Sequence, residues 1–266
     1  MARGFADKVV WITGGGSGIG AALARELASR GAAVAVSGRR VDRLEGVVAE
    51  LDAMGARAIA VPCDVTSDAQ VAAAVRTVVD ELGRLDVAVA NAGYGVVGRL
   101  ESLTEEEWRR QLDVNVLGVV RTARHAIPEL RRTRGRLVLM GSVIVYAGVP
   151  GNAAYTASKA AVNAIGATLS AELAPDGVSC TTINPGFVAS EIGQVDNQGV
   201  YHPDRRDPRP ARLIWPADKA ARAMADAILR RRREAVITGH GRVIAFLGRH
   251  FPGLVARLVR RRPSAK

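Results

Sequence analysis

Tyr155 and Lys159 stand four residues apart in the segment YTASK, inside an alanine-rich run that reads as helix from Ala153 to Leu173. Residues at that spacing share one face of a helix. A free phenol titrates at about 10 and a neighbouring ammonium favours the phenolate, so such a pair can move a proton near neutral pH. A Tyr and a Lys at this spacing on an arbitrary exposed helix would do nothing of the kind. What singles these out is Ser142, placed just past the strand-like run Arg136 to Gly141. The carboxyl edge of an open parallel sheet is where such folds bind ligands, and a serine hydroxyl there can hold a substrate oxygen beside the phenol. Asn115, in DVNVLG, is a poor helix former amid apolar neighbours, and a buried amide needs partners.

A second constellation lies near the N-terminus. TGGGSGIG, residues 13 to 20, contains Gly14, Ser17, Gly18, Ile19 and Gly20 and falls between an apolar strand and a helix-spaced run. Backbone N–H groups at such a turn, with a helix N-terminus behind them, suit a pyrophosphate, and glycine keeps a Cβ out of its way. The spacing departs from G-x-G-x-x-G, and alone it suits an ordinary tight turn equally well.

Taken in order, Thr13-Gly14 with Gly18-Ile19-Gly20, Asn91-Ala92-Gly93 after a fourth strand, and Ser142, Tyr155 and Lys159 resemble the short-chain dehydrogenase/reductase family. The likeness is to its shorter-chain branch, with TGxxxGxG and YxxxK motifs, and runs from about residue 5 to 240. It implies a catalytic tetrad of Asn115, Ser142, Tyr155 and Lys159, with Asn115 helping to hold a water relay to Lys159. It implies hydride transfer between a nicotinamide and a carbonyl carbon while Tyr155 protonates the alkoxide, Ser142 positions the oxygen and Lys159 contacts the nicotinamide ribose. It also implies cofactor contacts from Asp64 and Val65 on the adenine side and from Asn91 and Gly93. Pro185, Gly186 and Val188 would form the nicotinamide-side turn, with Ser190 near the diphosphate and carboxamide. The second strand ends VAVSGRR, with Gly38 where the resemblance places an acidic residue for the ribose hydroxyls. Arg39 and Arg40 follow and suit a 2′-phosphate, so the expected cofactor is NADP(H), with Arg39 as its main phosphate contact. The alternative is two arginines that cap a strand in solvent.

These residues need a frame. Short apolar runs at 9–12, 33–37, 58–61, 86–90, 136–140, 178–183 and 235–238 alternate with helix-spaced segments at 21–27, 41–54, 68–82, 104–132 with a break, 153–173 and 217–232. Alternation of this kind predicts a Rossmann-type α/β fold: one doubly wound parallel sheet of about seven strands with helices on both faces. Residues 190 to 216, with Gly199 and several prolines among many charges, interrupt the rhythm and read as a lid. The domain is expected to span residues 1–241, followed by a basic amphipathic extension, 242–266.

Composition narrows the function. The 266 residues are 48% hydrophobic, enough for a proper core. Residues 230 to 266 hold eleven Arg and Lys against one acid, Glu234, so nearly all of the net charge of +11 sits there. A near-neutral globule with a basic tail offers no aromatic-lined basic groove, so nucleic acid is not an expected partner. Cys63 and Cys180 and the four scattered histidines lack ligand spacing, so neither a metal nor a disulfide is expected. The N-terminal stretch lacks a signal peptide's apolar segment and no run reaches transmembrane length, which favours a cytoplasmic enzyme.

Tyr94, Val96, Val97, residues 143 to 149 and Phe187 should surround the substrate, an apolar mix that fits a hydrophobic carbonyl compound or alcohol. The lid charges are expected in water; their arginines holding an acidic substrate is the lesser reading. In the tail, Leu254, Val255, Leu258 and Val259 share a helical face flanked by Arg257, Arg260, Arg261 and Arg262. That face either packs on the protein or a partner subunit, the favoured expectation, or lies on an anionic membrane surface. The family resemblance suggests a homodimer or homotetramer. Two functional alternatives stay open: a ketoreductase of carrier-bound acyl groups, and a catalytically silent NADP-binding regulator.

Overall fold

The computed structural model describes residues 4–260. Seven parallel strands, β1 (Val9–Thr13), β2 (Ala33–Gly38), β3 (Ala58–Pro62), β4 (Val87–Ala90), β5 (Arg136–Met140), β6 (Ser179–Pro185) and β7 (Glu234–Ile237), form one sheet in the order β3-β2-β1-β4-β5-β6-β7. Their apolar runs suit strands covered on both faces, and successive side chains of β1 divide accordingly. Val10 and Ile12 join the core beneath α1 (Gly18–Ser29) and α7 (Ala217–Leu229), with Leu23, Leu27, Met224 and Ile228. Val9 and Trp11 join the opposite core with Val78, Leu130, Leu137 and Val162. Helices α2 (Val41–Ala53), α3 (Asp68–Leu82) and α6 (Ala153–Glu172) also cover the sheet.

The strand order reverses direction at β1, which pairs with β2 on one side and β4 on the other. A crevice opens at such a point beyond the carboxyl ends of the strands. The glycines at 14–20 follow β1, Asn91 and Gly93 follow β4, and Ser142 follows β5, so all three motifs reach the same edge.

Several boundaries differ from expectation, most of them by one to three residues at an end. The segment expected as one broken helix is α4 (Glu105–Leu112), a π-helical turn (Asp113–Leu117) and α5 (Gly118–Thr133). A capping box between Thr104 and Glu107 starts α4, whereas the interruption is a widened turn inside a continuous helical path. α7 stops at Leu229, three residues short of the expected end. Beyond β7 the chain forms α8 (Gly239–His250) and α9 (Pro252–Arg260). The expected domain boundary at residue 241 thus falls inside α8, and Arg261 and Arg262 lie outside the described residues. Among the described residues no helix is long and apolar enough to cross a membrane.

Candidate active site

Gly14 and Gly18 adopt φ of +65° and +51°, a region L side chains rarely occupy, and this folds the turn after β1 into a cradle. A Cβ on Gly20 would collide with the Gly14 carbonyl oxygen, so that glycine closes the loop on itself rather than on a ligand. Ser17 precedes α1 without capping it; its hydroxyl accepts from Arg40 Nη2 at 3.1 Å. The first amides of α1 therefore have no side-chain partner there and line the cleft through Gly18, Ile19 and Gly20. Asn91 braces this loop: its Nδ2 donates to the carbonyls of Thr13 and Gly14 at 2.9 and 3.0 Å. Gly93, beside it, leaves room for the Asn115 amide and Lys159 Nζ.

Asp64 and Val65 line the same cleft, with the Asp64 carboxylate accepting from the N–H and hydroxyl of Thr66 at 2.9 and 2.8 Å. Arg39 and Arg40 both face the cleft, yet differ. Arg40 is ion-paired with Glu191 at 2.5 Å and lies over the Tyr201 ring, whereas Arg39 makes only a 3.3 Å bond to the Gly199 carbonyl. Arg39 is therefore the cation not already neutralised.

At the other end of the cleft lie the four residues expected as a catalytic tetrad. Asn115, fully buried in the π-turn, accepts from the Tyr94 N–H at 3.1 Å and donates to the Tyr94 carbonyl at 2.9 Å and to Ser158 Oγ at 3.1 Å. Lys159 is buried with no carboxylate partner; its Nζ donates to the Met140 carbonyl at 2.7 Å and lies 5.8 Å from the centre of the Tyr155 ring. Burial alone holds its ammonium well below the usual range, at about 8.

The phenol of Tyr155 is pushed upward by burial, against which the Ser142 hydroxyl and the Arg209 guanidinium act downward. Lys159, whose ammonium lies 5.8 Å from the ring centre, is not among the groups that lower it. Ser142 Oγ accepts from the Ile144 N–H at 3.3 Å and stays at the cleft wall.

Arg209 corrects the reading of the lid charges as solvated. Its side chain is only 15% exposed; Nη1 donates to the Val188 carbonyl at 2.8 Å and Nη2 to the Ser190 carbonyl at 2.9 Å, while Asp207 pairs with it at 2.7 Å. Val188 itself is buried in the core, while the Ser190 Cβ packs against Gly18 and the Ser190 hydroxyl accepts from Arg209 Nη1 at 3.3 Å.

Sequence reading also missed His240. Its Nε2 accepts from the Phe187 N–H at 3.0 Å and its ring stacks on Phe187, while Thr238, at φ +87°, turns the chain towards it. Together they clamp the Pro185-Gly186 turn, and the run of small and polar residues TGHG after the last strand, Thr238 to Gly241, was the signal for it. The lid hairpin is pinned across the cleft by Asn197, which bonds both the N–H and the carbonyl of Val97, and by Arg110 Nη1 on the Gln198 carbonyl at 2.8 Å.

The whole cleft measures ≈ 2670 Å³, several times what a single drug-sized ligand fills. Its glycine cradle, uncapped helix start and buried unpaired ammonium fit a dinucleotide at one end with a small molecule at the other. Cys63 lines the cleft and Cys180 does not; both are buried, which pushes their thiols up to about 11 and about 12.

Comparison with known proteins points the same way. The pattern of the family described as short chain dehydrogenase matches residues 8–200. A hydroxynaphthalene reductase of Aspergillus fumigatus is 36% identical over 74% of this chain and 71% of its own. An 11-beta-hydroxysteroid dehydrogenase A of Sesamum indicum is 37% identical over 86% of this chain and 67% of its own. Among solved structures, a short chain dehydrogenase/reductase from Burkholderia phymatum in complex with NAD has a TM-score of 0.82 at 28% identity, covering 98% of both chains. A short chain dehydrogenase from Burkholderia cenocepacia in complex with NADP has a TM-score of 0.77 at 32% identity, covering 90% of this chain and 99% of that one.

Proposed function

The chain belongs to the short-chain dehydrogenase/reductase family, and from that premise we propose an NADP(H)-dependent enzyme that interconverts a carbonyl and an alcohol on a small hydrophobic substrate, with Tyr155 as acid/base. The observation that carries the reading is the buried, carboxylate-free ammonium of Lys159 beneath Tyr155 at a cleft wall shared with Ser142. An unpaired buried cation is costly, and a fold that retains one at a ligand crevice has a use for its charge.

When bound, the nicotinamide supplies or accepts the hydride. The remaining chemistry is this chain's own. Gly14, Gly18, Ile19 and Gly20 would hold the diphosphate on backbone amides, and Arg39 would meet a 2′-phosphate. Ser142 orients the substrate oxygen, Tyr155 gives that oxygen its proton in reduction or removes it in oxidation, and Lys159 supplies positive charge under the phenol and towards the ribose. Asn115 keeps the Tyr94 backbone and α6 in place around Lys159. The lid covers the cleft and excludes water from it.

The substrate class rests on the wall, where Val97, Val143, Ile144, Val149 and Phe187 line the end away from Arg39 and Arg40; Val96, expected beside them, is instead fully buried against Tyr94 and Ala154. A carrier-bound acyl substrate has less support. Basic residues at that rim are already paired, Arg99 with Glu101 and Arg109 with Glu105, both at 2.5 Å. A cytoplasmic homodimer or homotetramer follows from the family's habit, and light scattering on the purified protein reads the subunit number.

The test is NADPH oxidation with a panel of apolar ketones and aldehydes, native protein against Tyr155→Phe. We expect turnover to fall by about 10²–10⁴-fold in the variant while NADPH binding is retained. Equal turnover in both would sink the assignment of Tyr155; tight NADPH binding without turnover on any carbonyl would favour a regulator.

A further inference from the structure

α8 is fastened to the domain along one side only. Gly241 and Ala245 are buried, Gly248 lies against the Tyr146 backbone, and Arg249 is ion-paired with Glu234 and bonded to the Tyr146 hydroxyl at 2.9 Å. Its other side carries Val243 and Phe246, both exposed. At the corner into α9, Phe246 and Phe251 stand with ring centres 6.3 Å apart, 56% and 52% exposed. Leu254 and Leu258 continue the apolar line at helical spacing, and no residue of α9 is buried. The chain has four phenylalanines, and this corner shows two of them to solvent. Contiguous exposed apolar surface of this kind marks a site of interaction.

The charge around it selects the occupant. Residues 239 to 260 contain four arginines and no acidic residue, and Arg257 and Arg260 have no carboxylate partner among the described residues. Two copies of this chain meeting through the face would set these arginines against one another. An anionic, apolar surface satisfies both the aromatic corner and the flanking cations. We propose that α8 and α9 together dock the protein on an anionic lipid bilayer, with Phe246, Phe251, Leu254 and Leu258 entering the boundary between headgroups and acyl chains and the arginines remaining among the headgroups.

The face adjoins the substrate end of the cleft. α8 packs on the short turn Val143–Tyr146, whose residues Val143 and Ile144 line the cleft, and Ile244 of α8 lines it too. Docking through this face would set that apolar end beside the lipid, where a hydrophobic carbonyl compound or alcohol concentrates. The docking itself is independent of the reaction proposed above.

Flotation of the full chain with vesicles tests it, using pure phosphatidylcholine and phosphatidylcholine mixed with phosphatidylserine. We expect binding to the mixed vesicles that weakens as salt is raised, and little to the neutral ones. Phe246→Ser with Phe251→Ser, and separately Arg257→Gln with Arg260→Gln, should each lower binding by about tenfold or more, with unchanged melting temperature as the folding control. Absence of binding to the mixed vesicles at low salt overturns the proposal. So does binding that the phenylalanine changes leave intact, which would be simple charge adsorption. So does a self-association that those changes abolish without lipid, which would make the face an interface between copies.

Discussion

Lys159 and Arg39 show how differently two cations serve one cleft. Lys159 lies in the interior with its proton held only to about 8, against 10.5 for the free side chain. Between those values the unfolded chain binds more protons than the folded one, so this residue's contribution to stability rises with pH across that window. Below about 8 the burial penalty is fully present, about 3 kcal/mol from the shift. Lys159→Met should therefore abolish turnover yet raise the melting temperature by a few degrees at neutral pH, an outcome calorimetry reads directly. The native enzyme's reductive rate should decline as pH passes about 8 and the ammonium discharges.

Arg39 is on the surface, and its replacement should cost binding rather than folding. Arg39→Ala is expected to raise KM for NADPH by about tenfold to a hundredfold, the size of one lost charge-assisted hydrogen bond, and to leave that for NADH nearly unchanged. An equal effect on both would remove its proposed role at the 2′-phosphate. That Asn115, Ser142, Tyr155 and Lys159 stand near one cleft was legible from sequence through the family resemblance and the spacing of Tyr155 and Lys159 on one helix face. Arg209 was not, because its place depends on the path of a long irregular lid that no periodicity describes.

At the scale of elements, the strand and helix rhythm was legible because alternating periods of burial leave a pattern along the chain. The π-turn was not: it differs from ordinary helix by one widened hydrogen-bonded turn and leaves the apolar pattern nearly intact. It nevertheless sets Asn115 against the Tyr94 backbone. The corner between α8 and α9 left a usable sign in Phe251-Pro252-Gly253, a sequence that a single amphipathic segment does not accommodate. The lid hairpin depends on Asn197, which makes three hydrogen bonds to Val97 and Glu107. Asn197→Ala should quicken tryptic cleavage at Arg205 and Arg206 by about tenfold, a loss of about 1.4 kcal/mol in local opening, with the melting temperature of the domain little changed. An unchanged cleavage rate would mean that other contacts hold the hairpin.

For the whole molecule, the sequence indicated a single wound sheet but not where an extension begins. Burial divides the tail instead. Ending the chain after Phe251 removes no buried side chain among the described residues and should leave the melting temperature within about 1 °C. Ending it before Gly239 removes Gly241, Ala245 and the Arg249 pair with Glu234, and should cost about 2–4 kcal/mol. Thermal unfolding of the two shortened proteins distinguishes these expectations.

The position of β1 also matters while the protein is being made. β1 lies inside the sheet, between β2 and β4, yet its register with β4 joins Val10 to Val87. On the ribosome, Val9 to Ile12 leave the exit tunnel long before their second neighbour exists. At about 5–20 residues per second the wait is roughly 4–15 s. During it, one edge of an apolar strand stands open to pairing with another chain. The nascent N-terminal half is thus a stage at which the chain exposes an apolar strand edge that the finished sheet covers.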